Sequence, residues 1–174
     1  MTQAALVHQL RQDGKESRPL PPSGLTLGVL LLELVGFVDD DLASHLALSR
    51  CSATTADGRA VSIAALAPLC VAEQHQRQGV GSETVREAVR RVEMWNAMCE
   101  EEQRVDALLV LGEPKFYERF GFSAAAAAEM ECKWAGEYLQ LLWLPGSCQS
   151  SHSPSGKGIH VDYAAAFGKL EAAT

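Results

Sequence analysis

The sequence predicts one domain of mixed α/β type, and two observations carry that reading. Leucine- and valine-rich runs of strand length stand on both sides of an amphipathic helix, and 174 residues are enough for one buried core. A hydrophobic share of 47% and a charged share of 21% are ordinary for a globular chain.

Each element follows from its local pattern. In "AALVHQLR", Leu6, Val7 and Leu10 fall at helical spacing, and the proline-rich "KESRPLPPSG" after it reads as a stiff loop. Leu25 to Val38 suits a buried strand or a helix, and Gly28 and Gly36 count against the helix. "VDDDLAS" reads as a hairpin turn into the strand "LASHLALSRC", with "SATTADGRA" a polar loop behind it. The next strand, "VSIAALAPLCV", contains Pro68, which has no N–H, so pairing should fail on one side near it. A helix is then marked by Val85, Ala88, Val89, Val92 and Trp95, with Glu83, Arg86, Glu87, Arg90 and Arg91 between them. "VDALLVLG" is a buried strand, and "EPKFYERFGF" a short helix stopped by Gly121. An alanine-rich connection and one or two closing strands complete a domain over residues 1–146. Residues 147–158 read as a polar linker and 159–174 as a tail that packs on the domain.

A net charge of -7 argues against nucleic acid as the main partner, although Arg77, Arg86, Arg90 and Arg91 make a local basic patch. Cys51, Cys70, Cys99, Cys132 and Cys148 form no C-x-x-C pair and read as reduced thiols of an intracellular protein, with no metal site. The start of the chain lacks an apolar signal core. The longest apolar run, "LTLGVLLLELVGFV", is 14 residues interrupted by Glu33, too short to span a bilayer. The expectation is a cytoplasmic protein away from membranes, monomeric or a homodimer.

"QRQGVGS", directly ahead of the amphipathic helix, is the candidate ligand loop. A helix N-terminus offers unpaired N–H groups and partial positive charge, and glycine lets an anion approach the backbone. For G-x-G taken alone, a glycine turn with no ligand is the better explanation. No G-x-x-x-x-G-K sequence occurs. A dinucleotide fingerprint fails too, because "AEQHQRQ" separates Val71 from Gly79 and the third-glycine position is Thr84.

Gln76-Arg77-Gln78-Gly79-Val80-Gly81 resembles the acyl-CoA signature of the GNAT N-acetyltransferase superfamily. "VLGEPKFYERFGF", one strand downstream, resembles the family's Phe-Tyr segment ending in Gly-Phe. "CKW" and "HVDYAAAFGKL" are similar to its YhbS-like branch of predicted acetyltransferases, so the resemblance covers nearly the whole chain. It implies a central twisted, mostly antiparallel sheet in which two neighbouring parallel strands splay apart, with helices flanking it and acyl-CoA in the gap. Leu69, Cys70 and Val71 would then offer backbone groups to the pantetheine. The pyrophosphate would sit on the loop from Gln76 to Ser82 (Gln76, Arg77, Gln78, Gly79, Val80, Gly81, Ser82), and Gly112 would end the partner strand. Tyr117 would be the general acid for the leaving thiolate.

The resemblance thus implies an acetyltransferase that uses acetyl-CoA as donor and an unidentified amine as acceptor. A non-catalytic acyl-CoA-binding domain is the alternative. Two departures bear on that choice. The family's first strand and helix have no counterpart before "AALVHQLRQDG". No acid lies on "VSIAALAPLCV", so no general base is assigned among Glu33, Asp39, Asp40, Asp41 and Glu113. His75 reads as exposed, Cys70 as a structural thiol, and Trp134 and Trp143 as core.

Overall fold

In the computed structural model, which describes residues 29–146 and 158–163, the first apolar run is a strand. Leu30–Val38 (β1) pairs antiparallel with Asp41–Thr55 (β2). Asp39 takes φ 53° in the turn between them, a left-handed conformation that aspartate tolerates, and all three aspartates are exposed. The acidic run is therefore a solvated turn. The helix expected in "AALVHQLR", the proline-rich loop and most of the linker and tail lie outside the described residues.

Ile63–Val71 (β3) pairs antiparallel with β2, and Ala107–Leu111 (β4) pairs parallel with β3. Parallel neighbours need a crossover connection. The helix Val80–Met98 (α1) makes it, running between β3 and β4 in the chain. Leu139–Trp143 (β5) closes the order β1-β2-β3-β4-β5, antiparallel to β4. Two short helices lie between β4 and β5, Pro114–Tyr117 (α2) and Ala124–Ala127 (α3). No helix among the described residues is long and apolar enough to cross a membrane.

One expected loop is a strand. Ser52 to Thr55 continue β2 because Ile159–Asp162 (β6), from beyond the expected linker, pairs with them. Small polar residues carry little strand signal of their own, so this pairing is decided by a distant segment.

Strand alternation divides the core into two layers. Ala64 and Leu66 face Val85, Ala88, Val92 and Trp95 of α1, together with Leu32, Leu34, Leu46 and Leu48. Ile63 and Ala65 face the other way, onto Ala107, Leu109, Leu139, Leu141, Ile159 and Val161. The periodic residues of α1 are buried, apart from the partly buried Val89. Trp95 is the core tryptophan, its indole N–H donated to the Gln103 carbonyl at 2.9 Å. Trp134 and Trp143 are both partly buried, and of the two Trp143 packs against the second core layer. Trp134 instead meets Tyr163 edge-on at 4.5 Å.

The hairpin is tied to the start of α1 through Ser44. Its hydroxyl lies 2.8 Å from that of Thr84, which donates to the Val80 carbonyl at 2.9 Å. Gly36 leaves the space that the Ser44 hydroxyl occupies. Gly36→Ala should therefore cost about 1–3 kcal/mol, read as a lower urea midpoint at unchanged m-value.

Candidate functional site

The site begins where two strands part. β3 and β4 share only the pairs Ile63–Ala107, Ala64–Leu108 and Ala65–Leu109. β3 then runs on to Val71, still paired with β2 but with a register shift where Ala67 and Pro68 oppose Ala47. Pro68 falls at this bulge, a place where a residue without N–H is tolerated. Pairing with β2 is thus interrupted at Pro68 and resumes at Leu69, and pairing with β4 has already ended at Ala65.

The register decides which way the end of β3 points. Ser44 faces Val71, Leu46 faces Leu69, and the Ala72 N–H bonds the Ala43 carbonyl at 2.8 Å. In antiparallel alternation Leu69 and Val71 then turn their backbone groups away from β2, into the gap left by β4. The Val71 carbonyl is taken by the side-chain amide of Gln76 at 3.0 Å. Cys70 turns the other way, and its thiol sits beside His45 on the face opposite α1.

The glycine loop lies at the end of this gap. After a 3-10 turn over Glu73–His75, Arg77 (φ 59°) and Gly79 (φ 91°) are both left-handed, and Gly79 is the N-cap of α1. The first intrahelical bond runs from the Glu83 N–H to the Gly79 carbonyl at 3.0 Å, and no side chain caps the helix. The amides of Val80, Gly81 and Ser82 have no intrahelical acceptor, at the positive end of a 19-residue helix.

The two glycines have different reasons. At Gly79 a side chain would meet nothing within 4 Å, so the backbone faces open space and the positive φ requires glycine. At Gly81 a Cβ would stand 3.2 Å from Val71 Cγ2 and 3.7 Å from Phe116 Cζ, so this glycine lets the helix pack against β3 and α2. The Gln78 side chain braces the loop, donating to the Gln74 carbonyl at 2.8 Å.

The expected basic patch is largely neutralised. Arg86 pairs with Glu83, and Arg90 and Arg91 both pair with Glu87, at 2.8 and 2.7 Å. Hydrogen bonds from Arg90 and Arg91 hold the Glu87 carboxyl down at about 2. Arg77 has no ion pair among the described residues. His75 departs from its expected exposure: its side chain is 11% exposed, with Nε2 3.9 Å from an Asp41 carboxylate oxygen.

Tyr117 stands across the gap, at the end of α2. Gly112 is the reason it fits, since a Cβ there would lie 2.5 Å from Tyr117 Cε2. The Gly112 N–H bonds the Tyr138 carbonyl at 3.0 Å, and its carbonyl accepts from buried Gln140 at 3.1 Å. The phenol ring meets Phe116 and Phe122 edge-on at 4.9 and 5.7 Å and is 8% exposed. Burial pushes its pKa above the ordinary value, and its hydroxyl makes no hydrogen bond among the described residues.

The structure thus gathers Leu69, Val71, the loop from Gln76 to Ser82, Gly112 and Tyr117 around one gap and sets Cys70 on the sheet's other face. Phe116 and Gln140 were not legible as site residues: one reads as a core aromatic and the other as a polar strand residue. The Phe-Tyr pattern was the available signal for Phe116.

This chain belongs to the GNAT acetyltransferase family, whose acetyltransferase (GNAT) domain matches residues 33–124. It is 30% identical over 134 residues to the uncharacterized N-acetyltransferase YhbS of Escherichia coli K12, a match that covers 77% of this chain and 66% of that protein, slightly under two thirds of its length. The crystal structure of E. coli YhbS in complex with CoA superposes with a TM-score of 0.67 at 26% identity, covering 97% of this chain and 78% of that one. A Brucella melitensis GNAT acetyltransferase, crystallised with acetyl-CoA, shares the fold with a TM-score of 0.58 at 24% identity, covering 95% and 77%. The mixed sheet with one parted parallel pair is the expected GNAT fold.

Gly112→Ala should drive the Tyr117 ring from its slot, costing about 1–3 kcal/mol. A changed near-ultraviolet tyrosine signal would report the displacement, and an unchanged signal with unchanged stability would show that the slot is not tight.

Proposed function

We propose that this protein is an N-acetyltransferase that moves the acetyl group of acetyl-CoA to a primary amine by direct attack within a ternary complex. The observation that carries the reading is the parting of β3 and β4 beside the uncapped N-terminus of α1, with Tyr117 on the far bank. The crystal structure of YhbS with CoA, on the same fold, supports the choice of ligand.

In this reading the pyrophosphate lies on the amides from Gln78 to Ser82, with Arg77 adding charge, and the pantetheine runs along Leu69 to Val71. The Val71 N–H, turned into the gap, polarises the thioester carbonyl. The amine nitrogen attacks the carbonyl carbon, the C–S bond breaks, and Tyr117 gives its proton to the departing thiolate. Because burial raises the Tyr117 pKa, the phenol stays protonated through neutral pH, and an alkaline limb due to Tyr117 lies above its ordinary value of about 10. Most of the acceleration comes from holding the two substrates in reacting orientation.

Calorimetric titration with acetyl-CoA should show one site, and Gly79→Glu should weaken it roughly 100-fold, equivalent to about 2.7 kcal/mol. Unchanged affinity would remove the loop from the binding site. Tyr117→Phe should slow amine-dependent thiol release roughly 100-fold while leaving the acetyl-CoA affinity within a factor of about two. Equal turnover would remove the acid role. Binding without turnover against any primary amine, peptide or polyamine would favour the non-catalytic alternative.

A further inference from the structure

An amine acceptor arrives as an ammonium ion, with a pKa of about 10.4 for a lysine-like group, and must lose a proton before it can attack. β3 carries no acid, and the aspartates at 39–41 and Glu113 are exposed. We propose that His45, held by Glu33, is the general base of the acetyl transfer, an inference that rests on the acetyltransferase reading above.

Three neighbouring strands supply the group. His45 lies on β2 directly opposite Cys70, which belongs to the stretch of β3 beyond its last pair with β4. Glu33, on β1, accepts from His45 Nε2 at 2.9 Å. That bond places the proton on Nε2, leaving the lone pair on Nδ1, and turns the ring toward β3. Nδ1 stands 3.9 Å from Cys70 Sγ, and the thiol proton has another acceptor in the His45 carbonyl at 3.7 Å. The side chains of His45 and Glu33 are 20% and 23% exposed, so water reaches the pair. Glu33 and Cys70 are the titratable groups that face the ring among the described residues. Burial raises the Cys70 pKa and keeps the thiol neutral, which sets it beside the proton path as a wall and not as a nucleophile.

The step balances. The ammonium proton passes through one water to Nδ1, and the Glu33 carboxylate stabilises the resulting imidazolium. The freed nitrogen lone pair forms the new C–N bond as the C–S bond breaks, and the thiolate takes the Tyr117 proton. The amide nitrogen sheds its second proton as the tetrahedral intermediate collapses, which restores the one Tyr117 gave, and His45 releases the ammonium proton to solvent.

The test compares the wild type with His45→Gln, Glu33→Gln and Cys70→Ala, measuring acetyl-CoA affinity and amine-dependent thiol release between pH 6.5 and 10. Affinity should change less than about twofold in all three, which also shows that they are folded. His45→Gln should lose roughly 100-fold in kcat/KM near neutral pH. That deficit should shrink as the pH approaches about 10, where a growing share of the amine arrives already deprotonated. Glu33→Gln should show a smaller deficit with the same convergence, and no acetyl group should be trapped on Cys70 in the wild type. A deficit equal at every pH, or none, overturns the base role. Loss of activity in Cys70→Ala, with acetyl trapped on Cys70 in the wild type, overturns it in favour of a covalent path. If the wild type turns over and His45→Gln matches it, only this inference falls. If the wild type neither binds acetyl-CoA nor turns over, the acetyltransferase reading falls and this one with it.

Discussion

The early end of the pairing between β3 and β4 is the constraint on which the rest of this site depends. Parallel strands joined over only Ile63–Ala65 and Ala107–Leu109 leave the later part of β3 without a neighbour on that side. A buried backbone group without a partner costs about 1–3 kcal/mol, so the amides of Leu69 and Val71 must meet water or a polar ligand. A flexible chain molecule carrying amides meets the same demand that a strand would. The bulge at Ala67–Pro68 lets β3 follow this course while it stays bonded to β2.

Everything else follows from where the two strands lead. The short connection from Val71 to Val80 sets the N-terminus of α1 at the mouth of the gap. β4 runs through Gly112 into α2, which puts Tyr117 on the opposite side. Gly81 against Phe116 joins the two banks, and Ser44 with Thr84 anchors the helix start to the hairpin. Because Glu83 and Glu87 engage Arg86, Arg90 and Arg91, the positive potential at the mouth of the gap comes from the helix amides and Arg77. A backbone cradle is fixed in geometry, which suits recognition of one phosphate group better than mobile side-chain charges do.

Much of this was legible along the chain, for a physical reason that differs by element. The three- and four-residue spacing of Val85, Ala88, Val92 and Trp95 is written in helix geometry, and all four are buried. The hairpin at Asp39 and the strands before and after α1 follow from turn chemistry and apolar runs. The extension of β2 through Ser52–Thr55 was not legible, because only β6 makes it a strand. The burial of the His75 side chain and the charge pairing on α1 were also hidden, since both depend on which neighbours come within reach.

By itself, then, the sequence determined the features that depend on chain-local rules. These are the amphipathic helix, the glycine-bearing loop directly ahead of it, and the short Phe-Tyr segment stopped by Gly121. Only the tertiary structure decided the features that depend on register. It turned Leu69 and Val71 toward the gap, gave Gly81 and Gly112 their packing roles, and brought Glu33, His45 and Cys70 together from three strands. A one-residue slip in pairing would send each of those side chains to the opposite face. Local sequence carries period and backbone preference, but adjacency across a sheet is settled only when the strands have found their partners.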